Sequence, residues 1–396
     1  MYRHRSPPRL ITLILLTAFS TMSLNMFLPS LANIAAEFDA DYATVSLAVS
    51  GYLAITAIVH LIIGPLSDRI GRRPVLLVAI VVFTAASVIC SLSTQIGTFL
   101  TFRLLQGGMV SGYALSLAIV RDTRSERNAA SLLGYISMAM AVAPMLGPML
   151  GGVLDTAFGW RANFYFYAAC GFGLFWLCWV DLGETRPADE PASGPASGRT
   201  LDLIRIPEFW AYALCGAFST GTFFIFITGA PLAAQAEFGV STAELGFFIG
   251  TITAGFMLGG FLSGRYATRF GPTTLMLTGR LVACLGLSAG IGCLLSGLLS
   301  PVLFFGSTVF VGLGNGLTMP SCNASAMSVR PRLAGTAAGL NGALVVAAGA
   351  VLTRLTGVVL PDDGPALSLL VLMLSTALAG LLSVLAAMQL SRRRLA

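Results

Sequence analysis

The sequence predicts an all-α membrane protein in which twelve transmembrane helices form two six-helix bundles. Three observations lead to this prediction. Of the 396 residues, 56% are hydrophobic and only 10% are charged, whereas soluble domains carry about 25% charged residues. Apolar runs long enough to cross a bilayer, which takes roughly 20 residues in a helix, recur along the whole chain. Short motifs of the first half also return in the second half.

Apolar runs define the helices in order. Seven runs contain no charged residue, and each predicts one helix: 10–36, 42–67, 128–154, 162–180, 209–236, 245–264 and 364–391. Three longer runs, 74–120, 270–329 and 333–361, are each interrupted by a single Arg. Turn residues split the first two of these into pairs of helices, and the third makes one helix. The first run follows three arginines, as in a signal peptide, but it is too long and eleven similar helices follow.

The distribution of arginine predicts the orientation. All 23 basic residues are Arg, and nineteen of them lie at the termini or in the connections that follow even-numbered helices. Acidic residues dominate the odd-numbered connections: Glu37, Asp39, Asp41, Asp155, Glu237, Glu244, Asp362 and Asp363. Because positively charged connections stay on the cytoplasmic side, we expect both termini in the cytoplasm. This asymmetry explains the net charge of +6, so no nucleic-acid partner is expected.

A linker and a repeat divide the chain. Residues 184–206 are polar and rich in Pro, Ala, Gly and Ser, which predicts a flexible cytoplasmic linker between bundles 1–183 and 207–396. Two motifs return 200 residues later: Ala36-Glu37-Phe38 as Ala236-Glu237-Phe238, and Gly64, Arg69 and Gly71 as Gly264, Arg269 and Gly271. A parallel repeat of this kind predicts a binding site between the halves, near the membrane midplane.

The connection after the second helix, "GPLSDRIGRRPVLL" (64–77), holds four charges within six residues. One interpretation is that its arginines only anchor the topology and contact phospholipid. An anchor, however, needs neither Asp68 nor the glycines at 64 and 71. The second interpretation is a cytoplasmic gate, in which Asp68 interacts with Arg121 at the end of the fourth helix or with the start of the eleventh helix.

Arg103 lies inside the fourth predicted helix, where a charge costs about 2.5–3.5 kcal/mol on insertion scales. It either snorkels to the interface or has a function. At 1.5 Å per residue, Arg103 and Asn25 lie at comparable depth, about 9 Å and about 22 Å from the opposite ends of their helices. Gln106 and Gly107 share the face of Arg103. A polar cluster of Asn25, Arg103 and Gln106 is expected to orient a mostly apolar ligand.

The fifth predicted helix has small residues at a spacing of four: Ala143, Gly147 and Gly151. Such a face favours close helix packing in lipid. Pro148 removes a backbone donor and can kink the helix, and Gly152 extends the small surface. In the second half, Asn315, Asn323 and Asn341 are candidates for polar contacts with a ligand or within the structure. The seven cysteines show no metal-binding spacing, so neither metal nor cofactor is predicted.

The charged connection closely resembles the loop 2–3 signature of the major facilitator superfamily. The stretch "RLLQGGMVSGYALSLAIVRD" (103–122) resembles its helix 4 signature, and "APMLGPMLGG" (143–152) resembles its antiporter signature. The stretches "LPSLANIAAEF" (28–38), "GWRANFYF" (159–166) and "ETRP" (184–187) are similar to the Bcr/CflA branch. That branch exports bicyclomycin- and chloramphenicol-type drugs against a proton gradient. Asn25 departs from it, because the branch usually carries Asp there and an amide cannot titrate.

The resemblance implies roles for the residues that match. It implies a gate at Gly64, Asp68, Arg69, Gly71, Arg72, Arg73, Arg121 and Asp122. In the family fold the helices that carry Asn25 and Arg103 line the cavity, so the polar cluster predicts substrate contacts at Asn25, Arg103, Gln106 and Gly107, although Asn25 itself departs from the branch. The resemblance also implies helix packing that seals a leak path at Ala143, Gly147, Pro148, Gly151 and Gly152.

As a whole, the resemblance implies an exporter of small amphipathic compounds, not an enzyme, that works by alternating access with proton antiport. We expect a monomer in the bacterial inner membrane whose partners are its small-molecule substrate, protons and the lipid bilayer. Two alternatives stay open at this point. They are a nutrient or metabolite transporter on the same fold and a membrane receptor that transports nothing.

Overall fold

The computed structural model describes residues 8–123, 136, 143–144, 146–185, 203–298, 300–330, 334–361 and 364–395. Every regular secondary-structure element in these ranges is a helix, which confirms an all-α protein. Ten helices among the described residues are long and apolar enough to cross a membrane. The stretch Ile96–Thr123, which contains Arg103 and Gln106, is not among the ten. The predicted total of twelve stays a prediction.

The first half contains nine α-helices in the described ranges, and several predicted spans are divided between two of them. They are α1 (Leu10–Asn25), α2 (Leu31–Glu37), α3 (Tyr42–Val45), α4 (Leu47–Ile70), α5 (Arg72–Leu92), α6 (Ile96–Leu105), α7 (Ser111–Thr123), α8 (146–158) and α9 (Arg161–Asp181).

Two predicted spans of the first half are interrupted by 3₁₀ turns. The first span breaks at Leu28–Ser30, because Pro29 has no N–H group with which to continue the α-helix. The fourth span breaks at Gln106–Val110, where two consecutive glycines weaken the helix. As a result, α1 ends at Asn25 and α6 ends at Leu105, next to the buried side chains of Asn25, Arg103 and Gln106.

The second half has longer, less interrupted helices. They are α10 (Pro207–Ala233), α11 (Thr242–Phe270), α12 (Pro272–Leu295), α13 (Pro301–Ser328), α14 (Ala334–Val359) and α15 (Pro365–Leu395), and a π turn at Ala234–Phe238 follows α10. Four of these helices begin with Pro, which fits the first helical position because no intrahelical donor is needed there.

The chain forms two compact units. The first consists of Met1–Ser193 with Ser241–Gly246, and the second consists of Gly194–Val240 with Phe247–Ala396. In the first unit α5 packs mainly against α9, and in the second α12 packs mainly against α13. Large apolar side chains such as Phe172, Leu285 and Leu382 remain more than 60% exposed. An apolar exterior of this kind suits a lipid environment.

The sequence repeat corresponds to a repeat in structure. Gly71 and Gly271 both have positive φ, 113° and 73°, and each joins two long helices of its unit. Glu37 accepts a hydrogen bond from Trp160 Nε1 at 2.6 Å and pairs with Arg161 at the start of α9. Glu237 accepts the backbone N–H of Ala366 at 2.6 Å at the start of α15. In both units this glutamate fixes the beginning of the last helix.

Candidate functional site

Arg103, near the end of α6, is completely buried. Its Nε donates to the carbonyl of Ala48 at 3.3 Å, and its Nη1 donates to Gln106 Oε1 at 2.7 Å. Its Nη2 donates to the carbonyls of Ser23 at 3.0 Å and Leu24 at 3.5 Å. The last turn of a helix leaves its carbonyls without intrahelical donors and favours a cation. The guanidinium therefore completes the end of α1 and does not snorkel.

Two aromatic rings enclose the same guanidinium. Its central carbon lies 4.1 Å from the ring centre of Phe27 and 4.4 Å from that of Tyr52, distances at which a cation is attracted to a ring face. The Tyr52 hydroxyl is hydrogen-bonded to Ser23 Oγ at 2.8 Å. Gln106 Nε2 donates to Ser87 Oγ at 2.7 Å. One side chain thus joins α1, α4 and α6, and Gln106 extends the network to α5.

The predicted polar cluster is therefore only partly assembled. Asn25 donates through Nδ2 to the carbonyl of Thr21 at 2.9 Å, and among the described residues no hydrogen bond joins it to Arg103. Its Oδ1 is buried and has no donor there. At Gly107 a Cβ atom would lie 2.9 Å from the carbonyl oxygen of Tyr52. Gly107 thus allows α4 to approach closely enough to bring Tyr52 over the guanidinium.

The charged connection, residues 64–77, contributes to a second polar cluster in the first unit, which is built around Arg72. Arg72 Nε lies 3.1 Å from Asp122 Oδ2, and both side chains are largely shielded from solvent. Arg72 Nη1 also donates to Ser67 Oγ at 2.5 Å. Arg69 is exposed, and a Cβ atom on Gly64 would meet nothing within 4 Å. The side chains of Asp68 and Arg121 lie outside the described residues, so their predicted contact stays a prediction.

Glu184 organises this cluster, a role that the sequence analysis missed. Its carboxylate accepts the backbone N–H groups of Arg72 at 2.9 Å and Arg73 at 3.4 Å, in the first turn of α5. A Cβ atom at Gly71 would lie 2.5 Å from Glu184 Oε2 and would displace this carboxylate, while the positive φ of Gly71 by itself favours glycine. Arg73 donates to the carbonyl of Trp179 at 2.8 Å and stacks over its ring.

We expect Glu184→Gln to lower the thermal stability of the purified protein, because an acidic side chain at a helix N-terminus contributes about 1 kcal/mol through its hydrogen bonds and the helix dipole. Thermal unfolding in detergent measures this effect. Asp39→Asn is the matched control, since Asp39 is an exposed carboxylate in a loop. Equal unfolding temperatures for the two variants would contradict the capping role.

The small residues of the fifth predicted span contact the end of α1 inside the first unit. A Cβ atom on Gly151 would overlap the carbonyl oxygen of Met26, whereas one on Gly147 would be in ordinary contact, 3.4 Å from Met22. A Cβ atom on Gly152 would overlap the carbonyl oxygen of Thr242, in the segment Ser241–Gly246 of the same unit. Ala143 and Pro148 are buried. The backbone of α8 therefore packs directly against another backbone.

The second unit has a buried cation of its own, Arg280 on α12, to which the sequence analysis assigned no role. Its Nε donates to Thr318 Oγ1 at 3.2 Å and its Nη2 to Asn315 Oδ1 at 2.5 Å. Asn315 in turn donates to the carbonyl of Ser219 at 2.9 Å, while Asn341 donates to Asn323 at 2.9 Å. The sequence signal was present, since Arg280 is the only charged residue between positions 270 and 329.

Comparisons with known proteins agree with the motifs. The sequence profile of the Major Facilitator Superfamily matches residues 13–353. The chain is 30% identical to the multidrug resistance protein D of Escherichia coli (strain K12), over 99% of this chain and 98% of that protein. It is 26% identical to a bicyclomycin resistance protein homolog of Haemophilus influenzae, over 87% and 88% of the two chains.

Solved structures agree on the fold. An inward-facing, occupied bacterial homolog of the human lysosomal transporter Spinster superposes with a TM-score of 0.78 at 18% identity, covering 97% of this chain and 96% of that one. The multidrug and bicyclomycin resistance proteins are bacterial, and they are the relatives expected for the Bcr/CflA branch. The protein is thus a multi-pass transporter of the bacterial inner membrane. The chain belongs to the major facilitator superfamily.

Proposed function

We propose that the chain exports small amphipathic compounds by alternating access, in exchange for protons that enter the cell. The observation that carries this proposal is the relation to a multidrug resistance protein over nearly the full length of both chains. In the proposed topology twelve helices span the membrane, the bundles 1–183 and 207–396 are joined by the linker 184–206, and both termini lie in the cytoplasm. The protein would act as a monomer.

The Arg72 cluster supports a cytoplasmic gate. The ion pair between Arg72 and Asp122 holds the connection after α4 against the end of α7, and Glu184 holds the same connection against the end of α9. Such polar contacts are individually modest in energy, as a reversible latch requires. We propose that Gly64, Asp68, Arg69, Gly71, Arg73 and Arg121 act together with this pair.

The contacts of the Arg103 cluster support different roles for its residues from those that the sequence predicts. Arg103, Gln106 and Gly107 are occupied with neighbouring helices, so we propose that they shape and position the site. Asn25 has a buried acceptor without a donor. We propose that this amide makes the direct polar contact with substrate from the first unit.

Uptake into inside-out membrane vesicles tests the proposal. Vesicles with an acidic interior should accumulate bicyclomycin, chloramphenicol or amphipathic dyes, and a permeant base that collapses the pH gradient should release them. Vesicles without the protein are the control. Accumulation of sugars or amino acids instead of these compounds would favour the nutrient or metabolite transporter, and no transport of either class would favour a receptor.

A further inference from the structure

A buried carboxylate lies in the first unit, at the end that carries Arg161. The sequence places Asp155 among the acids of an odd-numbered connection, but the structure places it on α8 with only 6% of its surface exposed. Asn33 Nδ2 donates to Asp155 Oδ2 at 2.9 Å, and the Ser30 hydroxyl lies close enough to this carboxylate to interact with it. Asn163 Nδ2 donates to Ser30 Oγ at 3.1 Å. The four side chains form one connected cluster.

No cation balances this carboxylate among the described residues. Arg161, the nearest arginine along the chain, pairs with Glu37 and donates to the carbonyl of Ser93 at 2.9 Å. The other charged groups on neighbouring segments are acidic: Glu37 on α2, Asp39 and Asp41 in the connection after it, and Glu244 in the segment Ser241–Gly246. An isolated ionised carboxylate is costly to bury. Within the described ranges, no positive charge therefore neutralises the cluster.

The cluster also contains an acceptor without a donor. Asn163 is fully buried, and its Oδ1 has no hydrogen-bond partner in the part of the chain that the structure describes. Asn163 donates to Ser30 and Asn33 donates to Asp155, and neither of these bonds reaches Asn163 Oδ1. If the Asp155 carboxylate were protonated, its O–H group would add a hydrogen-bond donor to a cluster in which the acceptor Asn163 Oδ1 has none.

The number of oxygen atoms in the cluster disfavours a metal ion as its ligand. Hard cations take about six or more oxygen ligands. The cluster offers the two oxygens of Asp155 and the Oδ1 atoms of Asn33 and Asn163, while Ser30 Oγ already accepts from Asn163. A proton needs only one carboxylate oxygen and an acceptor for the resulting O–H bond.

We propose that Asp155 is a proton-binding group, held in the buried cluster of Ser30, Asn33 and Asn163. In the binding step a hydronium ion transfers a proton to a carboxylate oxygen, which forms a neutral carboxylic acid and a water molecule. In the release step water takes the proton back. Protonation removes a charge that accepts a hydrogen bond from Asn33 on α2 and lies beside Ser30 of the 3₁₀ turn, and thereby loosens the joint between α1 and α2.

The position of Asp155 connects this event to the polar site. Gly151, one helical turn before Asp155, packs against the carbonyl of Met26. Met26 directly follows Asn25, and Arg103 binds the carbonyls of Ser23 and Leu24 in the same turn. A shift at Ser30 or Asn33 is thus transmitted to the end of α1 through contiguous backbone. As a role in transport, this proposal rests on the proton antiport proposed above.

Two measurements on the full-length protein test the proposal separately. Infrared difference spectra of purified protein between acidic and alkaline pH should contain a buried carboxylic-acid band that Asp155→Asn removes and the control Asp39→Asn retains. Asn163→Leu, which removes the unpartnered acceptor, should shift the frequency and the titration midpoint of that band. In vesicles, Asp155→Asn should reduce accumulation driven by the pH gradient at least tenfold while substrate exchange without a gradient continues.

Several results would overturn the assignment. A band that persists in Asp155→Asn would place the proton on another group, as would accumulation retained by that variant. A band that responds to replacing sodium by choline at constant pH would identify a metal cation as the ligand. If the unmodified protein shows the Asp155 band but no proton-driven transport, the antiport proposal fails and the binding site stands.

Discussion

Replacing Arg103 with Ala is expected to destabilise the first unit by about 3 kcal/mol or more. The substitution leaves the carbonyls of Ser23 and Ala48 and the Oε1 of Gln106 buried without their donor, and each such group costs about 1–3 kcal/mol. It also removes the cation between Phe27 and Tyr52, which contributes about 1–2 kcal/mol in a desolvated site. Loss of an unfavourable buried charge offsets only part of this sum.

Thermal unfolding and folded yield in detergent measure this effect. Arg103→Lys is expected to lie between the wild type and the Ala variant, because an ammonium group keeps the charge but not the planar fork of donors. Arg265→Ala, at an exposed arginine of the second unit, should leave stability unchanged. If Arg103→Ala instead keeps full stability and loses only ligand binding, Arg103 contacts the substrate directly.

Gly151→Ala is expected to be as damaging as Arg103→Ala, although it adds only one methyl group. The new Cβ atom would overlap the carbonyl oxygen of Met26, which is backbone and cannot rotate away. Overpacking typically costs about 1–3 kcal/mol, and a backbone collision belongs at or above the upper end of that range. We expect a large loss of folded protein in size-exclusion chromatography from membranes.

Two other glycines provide controls for this result. Gly147 lies on the same face of the same span, one turn earlier, and its Cβ atom would be only in ordinary contact, so Gly147→Ala should be tolerated. A Cβ atom on Gly173 would meet nothing within 4 Å, so Gly173→Ala should also be tolerated. Similar losses for all three variants would show that helix flexibility, not contact with Met26, explains the requirement for glycine.

Hydropathy and motif spacing predicted the all-α membrane fold and the family, because both depend on patterns that lie close together in the sequence. The partners of the polar residues could not be predicted in the same way. The donors of Arg103 bind largely to the backbone carbonyls of Ser23, Leu24 and Ala48. Because every residue type has a backbone carbonyl, the sequence does not indicate which residues provide these acceptors. Ser23 and Leu24 lie in the last turn of α1, which ends at Asn25, and Ala48 lies at the start of α4.

Other parts of the site depend on long-range packing. Glu184 binds the first turn of α5 across 112 residues, and the motif "ETRP" that contains it indicates the branch but not this partner. Asp155 was assigned to a connection because it follows an apolar run, yet α8 continues to residue 158 and buries it. Asn33 and Ser30 come from the other side of the cluster, 122 and 125 positions earlier in the chain.

The two buried arginines differ in when their partners are synthesised. The carbonyls that bind Arg103 precede it by 55 to 80 residues, so they have left the ribosome before α6 reaches the translocon. The side chains that bind Arg280, Asn315 and Thr318, follow it by 35 and 38 residues. We therefore expect helix α12 to enter the bilayer while its charge, which costs about 2.5–3.5 kcal/mol on insertion scales, is still uncompensated. Biogenesis of the second unit depends on the arrival of α13, and truncation of a nascent chain between these two helices should leave α12 poorly inserted.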